Sequence, residues 1–270
     1  MSDIINSQKI LELLNDGLKN KIKIEVLERV SSTNTLVKEL ASENDEGFVI
    51  VAGEQTAGRG RMGRSFFSPD DSGVYMSLLL KPQIKPEDAV QITTAAAVSI
   101  CRALEYLGVS DSKIKWVNDI YICNRKVCGI LTESSFNSLS GILDFAVLGV
   151  GINIYESADG FPEDIKDIAG AVFTRREEGL RNKFIAEFIN SFFDFYKVLS
   201  SKKHMKEYKD KSFVLGKEIN VIQGEKTEKA KALDIDENCN LIAEFPGGAI
   251  KKLYTGEISI KLATVEPCTP

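Results

Sequence analysis

Gly58-Arg59-Gly60-Arg61-Met62-Gly63-Arg64, a few residues beyond the apolar run Phe48-Val49-Ile50-Val51-Ala52, is the stretch on which two folds part company. Its Gly58-x-Gly60-x-x-Gly63 spacing formally matches a dinucleotide-binding fingerprint. Such a fingerprint opens a helix and is followed about twenty positions on by an acidic residue. Here the loop runs into Ser65-Phe66-Phe67-Ser68-Pro69 and then a strand, and Lys81-Pro82 stands where the acid belongs. The context excludes the Rossmann reading. What remains is a flexible, polycationic loop on a rigid strand. Glycine lets the backbone approach a ligand closely, and arginine offers a planar fork of donors suited to phosphate or carboxylate. An anion-binding loop is the expectation.

Outward from the loop, Phe48 to Glu54 reads as the strand before it and Val74 to Leu80 as the strand after it. Ahead of them lie a short amphipathic helix over Ser7 to Leu14 and a strand over Ile22 to Leu27. A second helix carries Leu36, Val37, Leu40 and Ala41, with the hydroxyls of Ser31-Ser32-Thr33 at its cap. Asp88 to Leu107 reads as a long, mostly buried helix ended by Gly108. Ile114 to Val117, Ile120 to Cys123, Val127 to Ser134 and Phe145 to Gly149 form an antiparallel meander, with a tight turn at Asn124-Arg125. Arg181 to Leu199 is an amphipathic helix whose Phe184, Phe188, Phe192, Phe195 and Leu199 are read as core. From Phe213 the texture changes to short alternating strands: Glu218 to Ile222, Lys229 to Ile235, Leu241 to Phe245, Ile250 to Tyr254 and Ile258 to Leu262. Turn clusters at Asp236-Glu-Asn and Gly247-Gly248 separate some of them. This is a small β-barrel of about 55 residues, the size of a minimal independent domain.

The net charge of −5 argues against general nucleic-acid binding. No apolar run approaches the length that spans a bilayer, and the amino terminus lacks the regions of a secretion signal. A cytoplasmic location is expected. The five cysteines (Cys101, Cys123, Cys128, Cys239, Cys268) are scattered and are read as buried or idle thiols. The one histidine, His204, sits in a lysine-rich run and is read as a solvated surface residue. Histidine-dependent hydrolase chemistry is thereby disfavoured.

Three further segments could carry chemistry. Lys115-Trp116-Val117-Asn118-Asp119 holds the only tryptophan. Regular strand alternation puts Lys115, Val117 and Asp119 opposite Trp116 and Asn118, so the sequence alone cannot aim them all at one pocket. Lys126 opens a strand after a turn, where a surface lysine is the plainer reading. Gly149-Val150-Gly151-Ile152-Asn153 ends a strand with glycines that mark the close approach of a ligand or another backbone.

Taken in order, these segments resemble the biotin protein ligase family. The pieces are Ser32-Thr33-Asn34, Glu54-Gln55-Thr56-Ala57-Gly58 through Arg64, Lys115-Trp-Val-Asn-Asp, Arg125-Lys126-Val-Cys-Gly-Ile-Leu, Gly149-Val-Gly-Ile-Asn153 and Gly256-Glu257-Ile258-Ser259. The match spans nearly the whole chain. Departures are Ser31 where the family commonly has aspartate, Val117 for a proline, Phe66 for a tryptophan, and Cys128 for a small residue. None removes a charge that the family uses in catalysis.

The resemblance implies an α+β fold. A mixed, mostly antiparallel sheet with helices packed on it, like the catalytic domain of class II aminoacyl-tRNA synthetases, would span residues 1–212. An SH3-like β-barrel would span 213–270. It implies that biotin is activated with ATP to biotinyl-5′-AMP and passed to a lysine of a biotin carboxyl carrier protein domain. Ser32, Thr33, Gln55, Gly58, Arg59, Lys126 and Gly149 would serve biotin, with Ser32, Thr33 and Gln55 on its ureido head. Arg61, Phe66, Lys115, Asn118 and Asn153 would serve the nucleotide, and Arg59, Arg61, Lys115 and Lys126 would be catalytic. Mg²⁺ would arrive on the ATP phosphates without a dedicated protein site, and homodimers occur in the family. The alternatives are a lipoate or octanoate ligase of the same fold and a non-catalytic biotin-binding regulator. Some members also repress transcription through an amino-terminal winged helix-turn-helix. Ser32 lies only about 30 residues in, roughly half of what that module needs, so no DNA binding is expected.

Overall fold

The computed structural model describes residues 3–223, 225–254 and 257–259. Among these, seven strands form one sheet: β1 (Lys23–Val30), β2 (Phe48–Gln55), β3 (Gly73–Leu80), β4 (Lys113–Lys115), β5 (Asp119–Ile122), β6 (Arg125–Phe136) and β7 (Leu143–Asn153). Their order is β1-β2-β3-β7-β6-β5-β4. Only the β1–β2 pair is parallel, so the sheet is mixed and mostly antiparallel. β3 lies between β2 and β7 and is buried at every position, which explains an apolar run broken only by Ser77.

Cross-strand rows show what each face does. The row Val51, Met76, Val150, Ile130 belongs to the main core, which it shares with α4 (Val90–Tyr106) and α5 (Leu180–Tyr196). Phe184, Phe188 and Phe192 of α5 are fully buried in it, and the last two rings stack 5.8 Å apart. Each such side chain contributes about 1.5–3 kcal/mol by burial. The neighbouring row Ile50, Ser77, Gly149, Leu131 points to the opposite face. One end of that face is covered by α3 (Thr33–Glu39), whose Val37 packs with Phe48, Ile50, Leu79 and Val147. Ser32 caps α3, its hydroxyl accepting from Thr35 N. The rest of the face is open, and there the candidate site lies.

Beyond α6 (His204–Lys211), strands β8 (Glu218–Gln223), β9 (Lys226–Ile235), β10 (Leu241–Glu244), β11 (Ile250–Leu253) and β12 (Glu257–Ser259) form an antiparallel sheet of order β11-β10-β9-β8-β12. The expected small β domain is present. The last predicted strand is described only over Glu257–Ser259; its remainder and Cys268 lie outside the described residues.

Several sequence expectations need correction. The predicted strand Ile114 to Val117 ends at Lys115, before a cis peptide bond between Trp116 and Val117. The tight turn falls at Cys123-Asn124, both left-handed with φ of 51° and 60°, because a two-residue hairpin turn requires that twist at both positions. Cys101, Cys128 and Cys239 are buried free thiols as expected, but half-buried Cys123 is disulfide-bonded.

His204 is not solvated. It is 1 % exposed, because α6 turns His204, Met205 and Tyr208 inward against the main core. Its Nε2 lies 2.8 Å from Thr94 Oγ1 of α4, and burial lowers its pKa from 6.5 to about 4. Between these values the unfolded chain binds a proton that the folded chain refuses. The stability is therefore whole above pH 6.5 and falls, by on the order of 3 kcal/mol, as the pH drops to about 4. Urea unfolding at pH 7 and pH 4.5 should show this loss in the wild type and little of it in His204→Gln. An equal loss in both would contradict it.

Candidate active site

Two rows of the open face floor a cleft of about 400 Å³. The residues of those rows that line it are Leu131 and Gly149 and, one step along, Asp119, Gly129 and Gly151. The three glycines let neighbouring groups lie flat on the sheet. A Cβ on Gly149 would stand 2.1 Å from Asn34 Oδ1, and one on Gly151 would stand 2.7 Å from the Phe66 ring.

At one end, polar groups are tied together before any ligand arrives. Gln55 Oε1 accepts from Thr33 N at 2.9 Å and Thr33 Oγ1 at 3.1 Å, while Gln55 Nε2 donates to Ser68 Oγ at 3.0 Å. The Ser77 hydroxyl lies 2.7 Å from Thr33 Oγ1 and donates to Asn34 Oδ1 at 2.6 Å. Ser32, Thr33 and Asn34 are all buried. A preorganised hydrogen-bonding end of this kind can reject ligands that lack matching polar groups.

The arginine loop is a small hairpin standing over the cleft. Phe66 N donates to Gly58 O at 2.9 Å, and Gly60 N donates to Arg64 O at 2.7 Å. Its tip, Met62 and Gly63, is left-handed with φ of 55° and 75°. Arg59 pairs with Glu133 at 3.0 Å, and Arg61 Nη1 donates to Asn118 Oδ1 at 2.9 Å. Arg59 and Arg61 thus each have a partner within the protein.

Lys126 reaches this face through a β-bulge. Tyr121 pairs with Lys126 and Asp119 with Gly129, and the register shifts between them. Three steps on β6 thus oppose two on β5, so Lys126 and Gly129 share a face that strict alternation would deny them. Its ammonium lies 2.7 Å from Asp119 Oδ1. The segment after β7 brackets its backbone: Lys126 N donates to Ile168 O, and Gly170 N donates to Lys126 O. Ile165 and Ile168 of that segment line the same cleft.

The bend after β4 brings Lys115, Trp116, Asn118 and Asp119 to the cleft wall together, which a regular strand could not do. Trp116 is core-like at 5 % exposure, and its indole N–H donates 2.8 Å to the carbonyl of Cys239 in the small β domain. Tyr208 of α6 donates to Val117 O at 2.9 Å, holding the other side of the bend.

Of the residues singled out in the sequence, Ser32, Thr33, Gln55, Arg59, Arg61, Phe66, Lys115, Asn118, Lys126 and Gly149 line this cleft. Gly58 sits behind the wall, where a Cβ would meet Phe66 O and Ser68 Oγ. Asn153 is turned away, its amide donating to Gly170 O at 3.0 Å. Sequence reasoning missed Glu133, Asp119 as the partner of Lys126, Ser68, Ser77 and the Ile165/Ile168 wall. Asp119 was within reach as an acid inside a motif, whereas Glu133 lies beyond the motifs and the wall comes from a segment without regular structure.

A family model described as the biotin/lipoate A/B protein ligase family matches residues 26–153, and one described as the biotin protein ligase C terminal domain matches residues 214–261. The chain is 33% identical over 262 residues to the bifunctional ligase/repressor BirA of Bacillus spizizenii, across 90% of this chain and 77% of that protein. It is 36% identical over 137 residues to the biotin–[acetyl-CoA-carboxylase] ligase of Paracoccus denitrificans, across 50% of this chain and 55% of that one. Among solved structures, the biotin protein ligase from Aquifex aeolicus in complex with biotin and ATP superposes with a TM-score of 0.71 at 28% identity, covering 89% and 99% of the two chains.

Proposed function

The chain belongs to the biotin protein ligase family, and we propose that its cleft activates biotin with ATP and hands it to a lysine of a biotin carboxyl carrier domain. One observation carries this reading. A polar, prewired end (Thr33, Gln55) and a cationic end (Arg59, Arg61, Lys115, Lys126) share a single cleft over a glycine floor. An uncharged polar ring bearing a carboxylate tail, met by a triphosphate, is the pair of reactants such a cleft suits.

In the first step a carboxylate oxygen of biotin attacks the α-phosphorus of ATP. The bond from that phosphorus to the bridging oxygen breaks, and pyrophosphate leaves. In the second step a carrier lysine amine attacks the acyl carbon, the bond to the AMP oxygen breaks, and the amine sheds a proton as the amide forms. Neither step asks for a protein nucleophile, in keeping with a chain whose one histidine is buried. Catalysis rests on positioning and on fixed cations where negative charge gathers.

Ser32, Thr33, Gln55, Gly58 and Gly149 would serve the biotin head, and Arg59 and Lys126 its carboxyl group. Arg61, Phe66, Lys115 and Asn118 would serve the nucleotide. Asn153 would act from behind, through the Gly170 segment that its amide holds. Mg²⁺ fits the donors present, because the Asn118 amide and Asp119 carboxylate supply oxygens in the cleft wall. Such a set suits an ion that arrives on phosphates and offsets their charge. The division into residues 1–212 and 213–270 is part of the same reading. No described helix is long and apolar enough to cross a membrane.

The carrier domain supplies the test of substrate and partner. Incubated with biotin, ATP, Mg²⁺ and this chain, it should gain the mass of one biotinyl group on one lysine, with one AMP released per transfer. A carrier left unmodified while AMP accumulates would contradict the choice of acceptor.

A further inference from the structure

Glu133 of β6 stands between the two ends of the cleft. Its side chain is only 19% exposed, and Oε2 accepts from Arg59 Nη1 at 3.0 Å and from Asn34 Nδ2 at 3.1 Å. Asn34 is fixed from every side. It is buried, its Nδ2 also reaches Leu131 O at 3.2 Å, its Oδ1 accepts from Ser77, and Gly149 closes beneath it. A carboxylate held by so immobile an amide is a stationary anchor for a loop arginine that is itself half exposed.

Exposed ion pairs contribute little, about 0–1 kcal/mol. This pair differs because one partner is largely buried and its position is already determined by a buried network, so less entropy is spent on holding the geometry. Glu133 also occupies only one edge of the guanidinium, which carries five N–H donors. A ligand carboxyl group can therefore meet Arg59 while Glu133 keeps hold of it.

We propose that Glu133 is a positioning residue for this reaction. It ties the base of the arginine loop to the helix that carries the head-group pocket, so that Arg59 is aimed before biotin arrives. The inference rests on the reading of the cleft as a biotin site.

The test is a double-mutant cycle read by biotin titration, using Glu133→Gln, Arg59→Ala and the pair. Glu133→Gln keeps shape and the capacity to accept from Asn34, and its melting temperature should stay near the wild type. It should weaken biotin binding about tenfold. Added to Arg59→Ala it should weaken binding no further, because the two act as one unit. Unchanged or tighter binding in Glu133→Gln, or full additivity in the pair, would overturn the proposal. Wild-type protein that binds no biotin would instead sink the reading on which it rests.

Discussion

Replacing Lys126 by alanine should slow formation of biotinyl-5′-AMP by about a hundredfold or more, the scale of losing one oriented charge stabiliser. Two effects of the same sign combine. The ammonium that would meet the biotin carboxyl group is gone, and Asp119 loses its counter-ion. The Asp119 side chain is 19% exposed, and among the described residues its Oδ1 has no partner besides that ammonium. Left alone it becomes a bare negative charge facing two anionic substrates. Adding Asp119→Asn to Lys126→Ala should therefore recover part of the loss in substrate affinity but not the loss in rate. A single-turnover assay for the adenylate separates the two. A Lys126→Ala rate near that of the wild type would contradict the role given to this residue.

The second large effect is expected from a single methyl group. In Gly149→Ala the new Cβ would stand 2.1 Å from Asn34 Oδ1 and 2.8 Å from its Cγ. Asn34 has nowhere to go, since Ser77, Leu131 and Glu133 all hold it. Relief must come from moving α3, and with it Ser32 and Thr33, away from the sheet. Overpacking of this kind costs about 1–3 kcal/mol of stability. Displacing the head-group residues by even an ångström costs roughly a hundredfold in activity. Gly17→Ala, where nothing lies within 4 Å, is the matched control and should leave both quantities near the wild type. Thermal melts and single-turnover assays of adenylate formation on the two variants make the comparison. Equal behaviour would contradict the close packing of Asn34 on Gly149.

The parts of this fold that are legible in the sequence are those where one local pattern dominates. β2, β3, α4 and the phenylalanine stripe of α5 carry long apolar runs or clear helical spacing, and their burial follows directly. The cleft is less legible because it depends on departures from regular spacing. Strict alternation puts Lys126 and Gly129 on opposite faces; the bulge between their pairing partners reunites them. The bend after Lys115 does the same for Lys115, Asn118 and Asp119. Motif resemblance identifies these residues without explaining how they meet.

His204 misleads for a related reason. Its basic neighbours suggest solvent, yet His204, Met205 and Tyr208 are spaced to share one helical face, and that face is buried. Periodicity is the better guide here than composition. Glu133 is invisible for a different reason. Its meaning lies in the contact with Asn34, 99 residues away in the chain, and with Arg59, 74 residues away.

Whether the cleft activates biotin is decided by ATP–pyrophosphate exchange, run on the purified chain with Mg²⁺ and either biotin or lipoate. Exchange should depend on biotin, because Thr33 and Gln55 present a polar end suited to a ureido ring. Exchange driven by lipoate and not by biotin, or none with either, would contradict the assignment.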